Sequence, residues 1–335
     1  MTNPGTPAWK RPIAALSRAR HKRKIEQRPP APFIVGVNRS GTTLLRLMLD
    51  AHPQLAIPPE THFLPEMIRL SRRETTRRRL VRTATTHPRW GDFGLDADEF
   101  RHRVKKLRPL TSTGAIRAFY DLYASQQGKP LWGDKTPRYM RAMPRIERAL
   151  PEARFIHLIR DGRDVALSQA ERSLDEKAPT IAEVADRWQR RIRSAREQAV
   201  ELDHYLEVRY EDLVADPETT LRRICEEIEL PFDPAMLDYH RRAAGRLSEM
   251  DRDLGDGNSG PVRSGSERLA GHAMTTEPPT TDRSGRWQRE MPAADVAEFE
   301  RVAGDLLAEL GYETGTTAEA PPAPAPAPAP ARGGA

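Results

Sequence analysis

Cysteine is almost absent from this chain. A single residue, Cys225, stands among 335, so no intramolecular disulfide can staple the fold and no cysteine cluster can hold a metal. Its setting, LRRICEEIEL, has helical spacing, which makes Cys225 a small buried apolar residue rather than a nucleophile. Long hydrophobic runs are also missing. No stretch approaches the ~20 apolar residues of a membrane span, and the first residues lack the apolar core of a secretory signal. The expected location is therefore the cytoplasm. Neither zinc-ligand spacing nor an aromatic-interleaved basic stripe is present, so the usual marks of a nucleic-acid binder are lacking. Lysine is scarce beside arginine. That bias suits fork-shaped recognition of phosphate or sulfate, and genomic base composition would produce it equally well.

What is present suffices for a substantial core: 38% of the residues are hydrophobic, and the length predicts one domain with ragged ends. The formal net charge of +6 favours anionic partners, but 54 basic residues stand beside 48 acidic ones. Such a balance gives little support to nucleic acid as the partner. Residues 1–30 are basic, poor in large apolar side chains and close with RPPAP; we expect a flexible arm, with membrane-surface or nucleic-acid contact as the alternative to a solvated tail. Residues 313–335 carry the Ala-Pro repeat EAPPAPAPAPAPARGGA, which favours extended polyproline geometry and cannot pack a core. The domain is expected over 31–312.

Within it, short β-rich runs alternate with helical patterns, the signature of a mainly parallel sheet flanked by helices in a single α/β domain. PFIVGV at 32–37, ARFIHLIRD at 153–161 and the run 204–213 read as strands. Helical patterns follow in TLLRLMLDAH and RDVALSQAER, and another starts near Pro217, where Asp216 suits a cap. Further helices are expected over 66–83, 97–126, 180–202 and 293–310. The segment 245–280 lacks periodicity and is expected to be a long loop.

The stretch VGVNRSGTTLL places Gly36 and Gly41 at the spacing of a phosphate-binding loop, with Thr43 at the usual hydroxyl position, but Thr42 stands where lysine should be. Without that lysine, triphosphate chemistry loses its main counter-charge. Backbone amides, the hydroxyls of Ser40, Thr42 and Thr43, and Arg39 could instead hold a less charged group without a metal. A sulfuryl group carries less negative charge than a terminal phosphate. A second constellation lies in IHLIRDGRDVALSQAER: Arg160 ends a strand, and Ser168 and Arg172 sit one turn apart on the following helix. One nucleotide charged at both its 3′ and 5′ ends would explain two anion sites.

These residues, with GDKTPRYM and VRYEDL, resemble the motifs of sulfotransferases that use 3′-phosphoadenosine-5′-phosphosulfate (PAPS), the protein-tyrosine sulfotransferases and bacterial sulfotransferase domains among them. The resemblance spans about residues 32–311. It implies a P-loop nucleotide-kinase-like fold and a sulfuryl transfer to a hydroxyl acceptor. It implies that Arg39, Ser40, Gly41, Thr42 and Thr43 bind the 5′-phosphosulfate, that Arg160, Ser168 and Arg172 bind the 3′-phosphate, and that Tyr210 lies near the adenine. Glu60 matches the family base and His62 is its rival; Lys135 matches the lysine that stabilises the transition state. Asp134 would either hold Lys135 in position or cap the helix after it, and capping is the expectation. In TDRSGRWQREMP, where agreement is partial, Arg283, Ser284 and Gly285 would close over the cofactor, and Trp287 would anchor the last helix. The alternatives are a phosphotransferase using ATP and magnesium, and a basic nucleic-acid-binding module. Nothing in the sequence specifies the acceptor, which could be a small molecule, glycan, lipid or peptide, or the oligomeric state.

Overall fold

The apolar run before the glycine loop forms the centre of the sheet. The computed structural model describes residues 28–70, 73–171, 179–254, 264–270 and 272–315. Its strands are β1 (Ala31–Gly36), β2 (Leu55–Ala56), β3 (Leu131–Trp132), β4 (Asp134–Lys135), β5 (Ala153–Ile159) and β6 (Tyr205–Arg209). The main sheet has the order β4-β1-β5-β6, and β2 pairs with β3 beside it. Every pairing is parallel, with Ile34 opposite Lys135 and Gly36 opposite Leu158. Parallel strands require crossovers, and the helices that supply them cover both faces. Phe33, Val35 and Phe155 enter one apolar cluster with Trp188 and Phe299. Ile34, Ile156 and Leu158 face the other, with Leu45 and Leu221. This alternation is the period of two that a pleated strand imposes.

Because the four strands run the same way, whatever follows each of them emerges at one edge. Residues 37–41 follow β1, Lys135 ends β4, Arg160 follows β5 and Tyr210 follows β6. Ligands of open parallel sheets bind at this carboxyl edge. The single α/β architecture and the parallel sheet agree with the sequence.

Several element boundaries do not. The pattern over 66–83 divides into helices Leu64–Arg69 and Arg77–Thr85, and that over 97–126 into Ala97–Lys106 and Ser112–Gln126. Pro109 lies in the second break, where its ring and missing N–H stop a helix from continuing. The strand expected over 204–213 ends at Arg209, and Tyr210–Ala215 is helical. Asp216 does cap the next helix, accepting from the Thr219 amide at 3.2 Å. The segment 245–280 is not one loop: it holds the end of helix His240–Leu247 and the helix Gly265–Ala270. Ion pairs rather than periodicity fix its start, since Arg246 meets Asp50 at 2.7 Å and Arg46 meets Glu249 at 3.0 Å. Cys225 is buried, and burial pushes its thiol up to about 11. Among the described residues, no helix is long and apolar enough to cross a membrane.

His157 on β5 is fully buried. The Tyr205 hydroxyl lies 3.0 Å from Glu207 and 2.5 Å from His157 Nδ1, and Nε2 has no hydrogen-bond partner. Burial lowers its pKa to about 4. The folded chain therefore binds the proton less readily than the unfolded one. Stability is full above the unfolded value of 6.5 and is lost as pH falls through about 4, by about 3 kcal/mol for this group. Urea titrations at pH 7 and pH 4.5 should show this loss, and His157→Asn should reduce it. An identical loss in both proteins would contradict the assignment.

Candidate active site

The glycine loop is built on positive backbone angles. Gly41 has φ 88° and caps the helix Thr42–Asp50. Arg39, which carries a side chain, holds φ 76°. A non-glycine residue in this region costs of the order of 1–3 kcal/mol and persists where its surroundings enforce it. A Cβ on Gly41 would lie 2.4 Å from the Tyr210 ring, so only glycine lets the loop rest on that aromatic face. Ser40, Thr42 and Thr43 are buried.

Arg160 joins this loop to its neighbours. Its Nη1 donates to the Arg39 carbonyl at 3.2 Å and its Nη2 to the Arg283 carbonyl. The guanidinium lies 4.6 Å over the Tyr210 ring and 3.7 Å from Asp164. Arg39 in turn donates from Nε to the Ser168 hydroxyl at 3.0 Å. A side chain of the glycine loop thus reaches the helix Gly162–Ala170. Asp164, not singled out in the sequence, accepts from the amides of Gly285 at 2.8 Å and Trp287 at 2.9 Å. It thereby fastens residues 283–287 over the helix Gly162–Ala170. Trp287 packs under the Arg163 guanidinium, 3.4 Å from its ring, and this is an anchoring contact. The structure therefore gathers Arg39, Ser40, Gly41, Thr42, Thr43, Arg160, Ser168, Tyr210, Arg283, Ser284 and Gly285 at one edge; Arg172 lies outside the described residues.

Beside the loop stands an ion pair. Lys135 Nζ lies 2.8 Å from Glu60 Oε1 and 3.4 Å from the Thr43 hydroxyl. Only 2% of the lysine side chain is exposed. Burial lowers the Lys135 pKa, and the Glu60 carboxylate opposes that. For Glu60, burial works against ionisation, but Lys135, the bond to His62 and Arg89 outweigh it and hold the carboxyl well below its usual range. His62 bonds the second oxygen of Glu60 at 2.8 Å from a backbone with φ 55°.

The expected capping role of Asp134 is not observed. Asp134 lies in β4 and accepts from the hydroxyls of Thr61 and Tyr120, each at 2.8 Å, and burial pushes its carboxyl up to about 6. Successive strand residues point to opposite faces, so Asp134 turns away from Lys135 into the core. Thr61 also donates its amide to Thr136 at 3.0 Å and bonds Tyr139 at 2.7 Å. The residue between Glu60 and His62 is thereby locked to the residues on either side of Lys135. Sequence reasoning missed this clamp, because its partners lie more than 70 positions apart.

A family model described as the sulfotransferase family matches residues 30–234. Protein-tyrosine sulfotransferase 1 of Danio rerio is 28% identical over 294 residues, covering 85% of this chain and 72% of that protein. The human protein-tyrosine sulfotransferase 1 is 27% identical over 295 residues, covering 85% and 70%. Among solved structures, the sulfotransferase domain from the curacin biosynthetic pathway superposes with a TM-score of 0.53 at 23% identity, covering 86% of this chain and 99% of that one. The sulfotransferase domain from the Synechococcus PCC 7002 olefin synthase gives 0.53 at 24%, covering 88% and 99%. These two likenesses concern the fold.

Thr61→Val removes the hydroxyl that donates to Asp134 and leaves a buried carboxylate short of a donor, which costs about 1–3 kcal/mol. Chemical denaturation should register that loss. Unchanged stability would show that the clamp contributes nothing.

Proposed function

Because the chain belongs to the sulfotransferase family, we propose that it transfers a sulfuryl group from PAPS to a hydroxyl acceptor. The observation that carries the PAPS reading is a set of buried polar atoms without hydrogen-bond partners: Ser40 Oγ, Arg160 Nε and Ser284 Oγ. They belong to the three segments that meet through Arg160, and buried polar groups left unpaired in a native fold call for a ligand or water. The 5′-phosphosulfate would be held by Arg39, Ser40, Gly41, Thr42 and Thr43, and the 3′-phosphate by Arg160, Ser168 and Arg172. Tyr210 would pack near the adenine, with Arg283, Ser284 and Gly285 closing over it.

In the transfer, the acceptor oxygen forms a bond to sulfur as the bond from sulfur to the 5′-phosphate oxygen breaks. The electron pair leaves with that oxygen, giving adenosine 3′,5′-bisphosphate, and the acceptor proton passes to Glu60. A carboxylate paired with Lys135 is a weak base. The donor offers Lys135 a second anion, and the ammonium that turns to the leaving oxygen both stabilises its charge and raises the basicity of Glu60. His62, bonded to the other Glu60 oxygen, orients the base. The names of the relatives make a tyrosine phenol the first acceptor class to test.

Lys135→Ala should reduce turnover at least about 100-fold while calorimetric affinity for adenosine 3′,5′-bisphosphate holds. Arg160→Ala should weaken that affinity about 10- to 100-fold by removing a charged hydrogen-bonding partner. Near-normal turnover in the first variant removes Lys135 from the chemistry, and unchanged affinity in the second removes Arg160 from the nucleotide site.

A further inference from the structure

A second cationic site lies on the helix Ile181–Ala199, and none of its residues belongs to the candidate active site. Met140, Arg141, Arg187, Arg190, Arg191 and Ser194 line an open cleft of about 460 Å³, a size that accommodates a small molecule. Residues 187, 190, 191 and 194 follow the spacing of one helical face. Elsewhere on the same helix, arginines are matched to carboxylates: Arg193 meets Glu309 at 3.2 Å and Arg196 meets Glu207 at 2.8 Å. The cleft face is different. Arg190 pairs with Asp186 at 2.5 Å, but Arg141, Arg187 and Arg191 have no acidic partner among the described residues. Arg138, one turn before Arg141, is exposed and likewise unmatched.

Arg191 adds a further sign of an unmet partner. Its Nε is buried without a hydrogen bond. Burial, followed by the charges of Arg141, Arg187 and Arg138, lowers the pKa of this guanidinium, so the cluster repels itself when empty. Guanidinium groups present planar forks of N–H donors that match phosphate and sulfate oxygens in pairs. A ligand with one charge would leave most of the repulsion in place; one with several would remove it.

We propose that this cleft binds a multiply charged phosphate or sulfate oxyanion, independently of the nucleotide loops. With the nucleotide loops saturated by adenosine 3′,5′-bisphosphate, calorimetric titration of the full chain with inorganic pyrophosphate tests the free anion, and titration with a heparin-derived tetrasaccharide tests sulfate carried on a sugar. Saturable binding of either, weakened at least tenfold in Arg187→Gln/Arg191→Gln and unchanged in Arg160→Ala, supports the proposal and identifies the source. Binding lost in Arg160→Ala but retained in the double variant places the anion in the nucleotide loops and overturns it. Failure of both anions to bind also overturns it. Without anion, the double variant should melt no lower than the parent, because it removes repulsion; a lower melting temperature would mean that these arginines are already paired, and would contradict the proposal.

Discussion

The guanidinium of Arg160 is the contact on which this edge of the molecule depends. Three chain segments distant in sequence converge on it: the glycine loop through the Arg39 carbonyl, the late segment through the Arg283 carbonyl, and the helix that follows β6 through the Tyr210 ring. Burying a cation is costly unless it is paired and hydrogen-bonded. Here Asp164 stands 3.7 Å away and backbone oxygens satisfy two nitrogens, while Nε stays unmet. Neutral carbonyls are weaker acceptors for a guanidinium than a phosphate, since an ionised partner roughly doubles the strength of such a bond. An anion brought to this guanidinium would therefore be a stronger acceptor than the two carbonyls it now holds.

A similar economy governs Glu60 and Lys135. Each is held in its charged form by the other, so neither is a strong acid or base while the pair is intact. The Thr61 clamp, with Asp134, Thr136 and Tyr139, fixes the backbone of both partners. Only their side-chain ends need to move for the pair to separate. Positioning of this kind matters because transfer rates fall steeply when reacting groups shift by an ångström. Arg39 in the glycine loop and His62, two residues after Glu60, both hold positive φ, and such outliers gather where function constrains the backbone.

Much of this was legible in the sequence because the informative residues sit in local patterns. A strand, a glycine turn and a helix are consecutive in the chain, so the first loop and Arg160 could be read from spacing. Parallel topology then follows from the alternation of strands and helices. What escaped depends on residues that meet only after folding. Asp134 reads locally as a cap, yet Thr61 and Tyr120 claim it from other elements. Arg246 falls in a segment without periodicity, and its partners Asp50 and Tyr123 lie more than 120 positions away. Asp164 stands within the readable stretch IRDGRDVALS, but its purpose appears only when residues 285 and 287 return to it.

Calorimetric titration of the full chain with adenosine 3′,5′-bisphosphate in magnesium-free buffer, set beside ATP with magnesium, decides whether the carboxyl edge holds a nucleotide charged at both its 3′ and 5′ ends. Saturable one-to-one binding of the bisphosphate, with no comparable binding of ATP, is expected. Preference for ATP that depends on magnesium would contradict it.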